Sequence, residues 1–95
     1  MTGKQRAYLR SMCNEMDPIL LIGKGGIEAP VIKQLDDALE ARELIKVKVL
    51  ETAGLTAREA ADMVSGPLGA DVIQVIGSKF CLYRRSVEKP RIELI

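Results

Sequence analysis

The 95-residue sequence contains no histidine and no tryptophan, and its only other aromatic residues are Tyr8, Phe80 and Tyr83. Without histidine there is no Ser-His or Cys-His relay. Ser11, Ser65, Ser78 and Ser86 stand in no triad-like setting, so the chain is expected not to be an enzyme. The few aromatics are not arranged as in the base-stacking strands of RNA-recognition motifs, which leaves phosphate and sugar as the main groups a nucleic-acid partner could offer. Cys13 and Cys81 form no Cys-x-x-Cys pair and have no histidine with which to share a metal. They are expected to be two buried thiols, and no metal or cofactor is expected. The longest strongly apolar run, Ile19 to Ile22, falls far short of the roughly 18 residues needed to cross a bilayer. No signal-peptide pattern follows Met1, so the expected location is the cytoplasm and no membrane partner is expected.

A large net charge is also missing: 14 basic against 13 acidic residues leave +1. Any polyanion reading must therefore rest on where the charges lie. They are unevenly placed. Residues 27–44 hold the acids Glu28, Asp36, Asp37, Glu40 and Glu43 against Lys33 and Arg42. Residues 77–95 hold Lys79, Arg84, Arg85, Lys89 and Arg91 against Glu88 and Glu93.

What is present is a globular composition, 47% hydrophobic and 28% charged, enough for one core. Thr2-x-x-Gln5 is a capping box, and Tyr8, Leu9, Met12, Cys13 and Met16 recur at helical spacing up to Asp17-Pro18. Ile19 to Ile22 reads as a buried strand. Gly23-Lys24-Gly25-Gly26 interrupts it, and a helix starts near Glu28 or Ala29 with Pro30 in its first turn. From Leu44 to Leu50 the period falls to two, with Ile45, Val47 and Val49 alternating with Lys46 and Lys48. Thr56-x-x-Glu59 caps a shorter helix that Gly66-Pro67 should end, and Val72 to Ile76 and Phe80 to Tyr83 form a hairpin through Gly77-Ser78-Lys79. Residues 86–95 read either as a frayed tail or as an added edge segment. The predicted order is αβαβαββ: an α/β (α+β) two-layer sandwich in which three helices cover one face of a mixed four-stranded sheet. Lys46 and Lys48 point to the other face.

The glycine-lysine loop is the main candidate site. Glycines between a strand and a helix permit positive φ and bring backbone amides close to a phosphate, while Lys24 adds a mobile positive charge. A nucleotide-binding P-loop would need Ser or Thr after the lysine, where Gly25 stands, and the dinucleotide fingerprint lacks its third glycine at Glu28. Asp36 and Asp37 diverge by about 100° on a helix and do not form a carboxylate pair. Lys46 and Lys48, about 7 Å apart on one strand face, match the spacing of a nucleic-acid backbone, although strand lysines also serve simply to discourage aggregation.

Four blocks carry a resemblance: Gln5-Arg6-Ala7-Tyr8-Leu9-Arg10, Ile22-Gly23-Lys24-Gly25-Gly26-Ile27, Ala38-Leu39-Glu40-Ala41-Arg42-Glu43-Leu44-Ile45-Lys46-Val47, and Val75-Ile76-Gly77 with Leu82-Tyr83-Arg84. In this order and spacing, over residues 2–85, they resemble the CRM domain, the family of chloroplast RNA splicing and ribosome maturation, in its bacterial stand-alone, YhbY-like form. The resemblance implies a fold similar to the C-terminal domain of translation initiation factor three. It also implies association with ribosomal RNA in precursors of the large ribosomal subunit, and RNA contact through Gly23, Lys24, Gly25 and Gly26. The family's basic surface maps to Lys4, Arg6, Arg10, Lys46, Lys48, Arg84 and Arg85. Arg42 stands where many members carry histidine, and Gly25 where the loop is often polar. The competing expectation is a protein-interaction module that docks on a ribosomal protein or RNA-processing factor through the acidic second helix.

Overall fold

The computed structural model describes residues 1–94. Helix α1 (Gly3–Asn14) opens on the expected capping box: the Thr2 hydroxyl accepts from the Gln5 amide, and the Gln5 side chain accepts from the Thr2 amide. Strand β1 (Leu20–Ile22) and helix α2 (Ala29–Arg42) follow, with Pro30 in the first turn, where its missing N–H has no helical partner to lose. Strand β2 (Leu44–Val49) keeps the period-two pattern. A 3₁₀ turn (Glu51–Ala53), not anticipated from the pattern, then leads to the second capping box, Thr56 with Glu59. Helix α3 (Ala57–Leu68) does not stop at Gly66-Pro67 as expected. Pro67 sits in the last turn, where only one helical bond is forfeited. The helix ends at Gly69, whose φ of +62° lets the Ala70 amide donate back to the Ser65 carbonyl.

Strands β3 (Asp71–Ile76) and β4 (Lys79–Tyr83) complete a four-stranded sheet in the order β1-β2-β4-β3. β1 runs parallel to β2, and the other two pairings are antiparallel, as the alternation of helices and strands followed by a hairpin predicts. The hairpin turn is only Gly77-Ser78, with a positive φ of 58° at the glycine, the first central position of a type II′ turn.

The α/β class, the element order and the mixed sheet are as read from sequence, but the sheet is covered more fully than a two-layer sandwich. On one face α2 and α3 bury Leu35, Leu39, Ala60, Ala61 and Val64 against Ile45, Val47, Phe80 and Leu82. On the other, α1 packs Leu9 and Cys13 over Leu44, Ile73, Cys81 and Tyr83. Each fully buried Leu or Phe contributes roughly 1.5–3 kcal/mol, so Leu9 alone is a substantial anchor for α1. The face expected to be open is thus half occupied. Cys13 and Cys81 meet there and are joined as a disulfide, their Cα atoms 6.7 Å apart. This overturns the expectation of separate thiols: Cys13 lies on the inward stripe of α1, directly above the α1-facing side of β4.

The segment after Arg85 is neither frayed nor a strand, and Ile95, the end of the expected tail, lies outside the described residues. Glu43, fully buried and at a φ of 67°, accepts hydrogen bonds from the amides of Ser86, Arg91 and Ile92. Glu40 accepts from the Ser86 hydroxyl and from the Val87 and Glu88 amides. Ile92 and Leu94 then close against the α1-side core. Burial pushes the Glu43 carboxyl up, but the three amides, helped by Arg85, outweigh it and hold it below its ordinary value. The Ser86 hydroxyl and two amides lower Glu40 in the same way.

Candidate nucleic-acid interface

Residues 23–26 form one tight turn closed by the Gly26 amide on the Gly23 carbonyl at 3.0 Å. Gly25, at a φ of +99°, takes the third position of a type II turn, which favours glycine, and Lys24 takes the exposed corner before it. Gly26 also lies in the left-handed region, at +63°, and a Cβ there would come within 3.4 Å of Leu55. Gly23 backs onto Leu50 and Thr52. The 3₁₀ segment is therefore the floor that holds the turn, while the lysine faces outward.

The sheet register decides which cations accompany it. Leu21 pairs with Lys48 and Ile22 with Val49, so the turn leaves the sheet at the end where Lys48 lies. Lys48 stands directly opposite Lys79 on β4. Like charges in cross-strand contact destabilise a sheet, and among the described residues neither lysine is in an ion pair. Nothing local in the sequence marks Lys79 as a partner of Lys48, because their proximity depends on a pairing between strands about thirty residues apart.

Other predicted contacts are engaged within the fold. Lys46 donates to the Cys13 and Met16 carbonyls, both at 3.2 Å, and so caps the C-terminal end of α1. Arg6 donates to the Val72 carbonyl at 2.7 Å, tying α1 to β3. Arg84, with its side chain 20% exposed, bonds the Asp36 carboxylate, the Asp36 carbonyl and the Leu68 carbonyl. It lies at the opposite end of β4 from Lys79, with Arg85 exposed beside it. Lys4 is exposed and Arg10 half-exposed on α1. The structure therefore brings Lys24 and Lys48 to one end, joins Lys79 to them, and sets Arg84 and Arg85 at the other.

The acids of α2 are similarly engaged: Asp36 with Arg84, Asp37 with Lys33, Glu40 with the C-terminal segment. Glu28 is the exception at the loop. It occupies the N-cap of α2 without a side-chain cap bond, and its Oε1 lies 3.1 Å from where a Cβ on Gly25 would stand. Among the described residues no helix is long and apolar enough to cross a membrane, and no three potential ligands cluster as a metal site.

Residues 1–84 match the CRS1 / YhbY (CRM) domain. The chain is 42% identical over 94 residues to the Probable RNA-binding protein YqeI of Bacillus subtilis, covering 99% of this chain and 98% of that one. It is 30% identical to a Haemophilus influenzae protein named RNA-binding protein, over 99% of this chain and 94% of the other. Among solved structures, the hypothetical protein SAV1595 of Staphylococcus aureus superposes with a TM-score of 0.77 at 46% identity, over 100% of this chain and 99% of that one.

Proposed function

Because the chain belongs to the CRS1 / YhbY (CRM) domain family, we propose that it binds RNA through the turn at residues 23–26 and the lysines beside it. Residues 2–85 form the binding unit. Lys24 neutralises a phosphate, the Gly25 amide, which does not close the turn, approaches its oxygens, and Lys48 takes the next phosphate along. Lys4, Arg10 and Arg85 add to the field at longer range, whereas Lys46, Arg6 and Arg84 serve the fold. The protein acts by holding RNA, without bond-making. Its resemblance to ribosome-maturation proteins points to ribosomal RNA in precursors of the large subunit, and to work in the cytoplasm as an assembly factor.

The observation that carries this reading is the exposed lysine at the corner of a turn in which Gly25 and Gly26 both hold positive φ, on the same sheet end as Lys48, which among the described residues is in no ion pair. Lys24→Ala should weaken binding to a single-stranded RNA about tenfold at low salt while leaving the urea midpoint unchanged, since the residue is exposed at the corner of the turn. Contact with three or four phosphates gives log affinity a slope of roughly −2 to −3 against log salt. A flat salt response together with unchanged affinity in the variant would remove the proposal.

A further inference from the structure

Beyond the C-terminal end of α1 the sheet face is bare. Its last row runs Leu21, Lys48, Lys79, Ile76 across all four strands, with Leu21 59% and Ile76 62% exposed. Behind that row is a groove of about 220 Å³, floored by Lys46, Cys81 and Gln74 and walled by Asn14 at the end of α1. A β-bulge between Val72 and Gln74 makes it possible: two residues of β3, Ile73 and Gln74, face the single Cys81. Without the extra residue, strict alternation would turn Gln74 toward the α2/α3 core. With it, Ile73 goes under α1, Gln74 comes up beside Asn14, Val75 returns to the core and Ile76 emerges on the bare face.

Gln74 donates from Nε2 to the Asn14 Oδ1 at 2.9 Å. That bond leaves the Gln74 Oε1 as an acceptor and the Asn14 Nδ2 as a donor, both on residues that line the groove. If both amides were turned over, one donor and one acceptor would still remain. An adjacent donor and acceptor match the hydrogen-bonding edge of a nucleobase, and Ile76 offers an apolar surface for its face. The two lysines opposite one another on β2 and β4 supply positive charge for the phosphates on either side.

We propose that this groove receives one unpaired base of the bound RNA, with Gln74 and Asn14 reading its edge and Lys48 and Lys79 holding the flanking phosphates. This rests on the RNA-binding reading above and makes its ligand single-stranded, because a paired base has its edge occupied and cannot reach a groove behind a row of side chains. The charge of the row favours RNA over an apolar protein partner for the same surface.

The test compares a ten-nucleotide single strand with the corresponding duplex, binding each to the wild type and to Gln74→Ala, Ile76→Ser and Lys24→Ala, with urea unfolding of each variant as the control for folding. Gln74→Ala and Ile76→Ser should each weaken single-strand binding roughly fivefold to tenfold, and should leave the weaker duplex binding unchanged. Lys24→Ala should weaken both. If Lys24→Ala lowers affinity while both groove variants match the wild type on the single strand, the groove inference is overturned and the loop reading survives. Equal losses on strand and duplex in the groove variants also overturn it. No RNA binding by the folded wild type ends both.

Discussion

At the residue scale, the loop carries an internal contradiction in Glu28. Its carboxylate leans over Gly25, close to where a phosphate would be held, and makes no cap bond that would justify it structurally. A unit negative charge some 6 Å from a phosphate in high dielectric opposes binding by roughly 0.7 kcal/mol. Glu28→Gln should therefore raise RNA affinity about threefold at low salt, with the gain shrinking as salt screens the pair. A titration by fluorescence anisotropy at two salt concentrations checks both the sign and the salt trend. The same scale explains which single residues could be read from sequence. Gly25 and Lys24 announce themselves by local turn chemistry, since positive φ at the third turn position favours glycine. Arg84 and Lys46 look like surface cations in sequence. Only the tertiary partners, Asp36 and Leu68 for one and the α1 carbonyls for the other, make them structural.

At the scale of elements, both capping boxes and the period-two strand were legible because their causes are local. What was not legible was long-range: the covering of the second sheet face by α1, the bulge in β3 and the fate of the C-terminal segment. That segment shows no helical or strand period because its order comes from two carboxylates over forty residues upstream, not from its own pattern. This has a pH consequence. Glu40 and Glu43 both titrate below their ordinary value of 4.5 in the fold, so the unfolded or detached state binds the proton more readily. The stability they contribute is present above about pH 4.5 and drains away as pH falls through the depressed folded values. Residues 86–94 should accordingly lose amide-exchange protection on acidification before the sheet does. Glu43→Gln should reproduce part of that loss at neutral pH, since a neutral amide accepts more weakly from the three backbone donors. Hydrogen exchange read by mass spectrometry, comparing 86–94 with β2, follows the two separately.

At the scale of the whole molecule, one sheet separates two cores, and the smaller one depends on α1 staying in place. Leu9 and the C-terminal segment contribute to that, and the Cys13–Cys81 bridge fixes it covalently across a separation of 68 residues. Closing a loop of that length in the unfolded chain is worth up to about 4 kcal/mol on the chain-entropy account, with observed values usually about 2–4 kcal/mol. Cys13 is fully buried and Cys81 almost so, on the floor of the groove beside α1, which slows the approach of a reductant to the bridge. Replacing both cysteines by alanine should therefore lower stability by about 2–4 kcal/mol. It should also raise the urea m-value, because the unbridged unfolded chain expands and exposes more surface. A stability loss with an unchanged m-value would assign the effect to lost packing of Cys13 and Cys81 alone. The charges follow the same division of the molecule. Arg84 is neutralised within the fold at one end of the sheet, while Lys24, Lys48 and Lys79 lie toward the other, where among the described residues none is in an ion pair and Glu28 is the acid that leans over the turn, so a near-neutral chain still gathers its candidate RNA-binding lysines at one end.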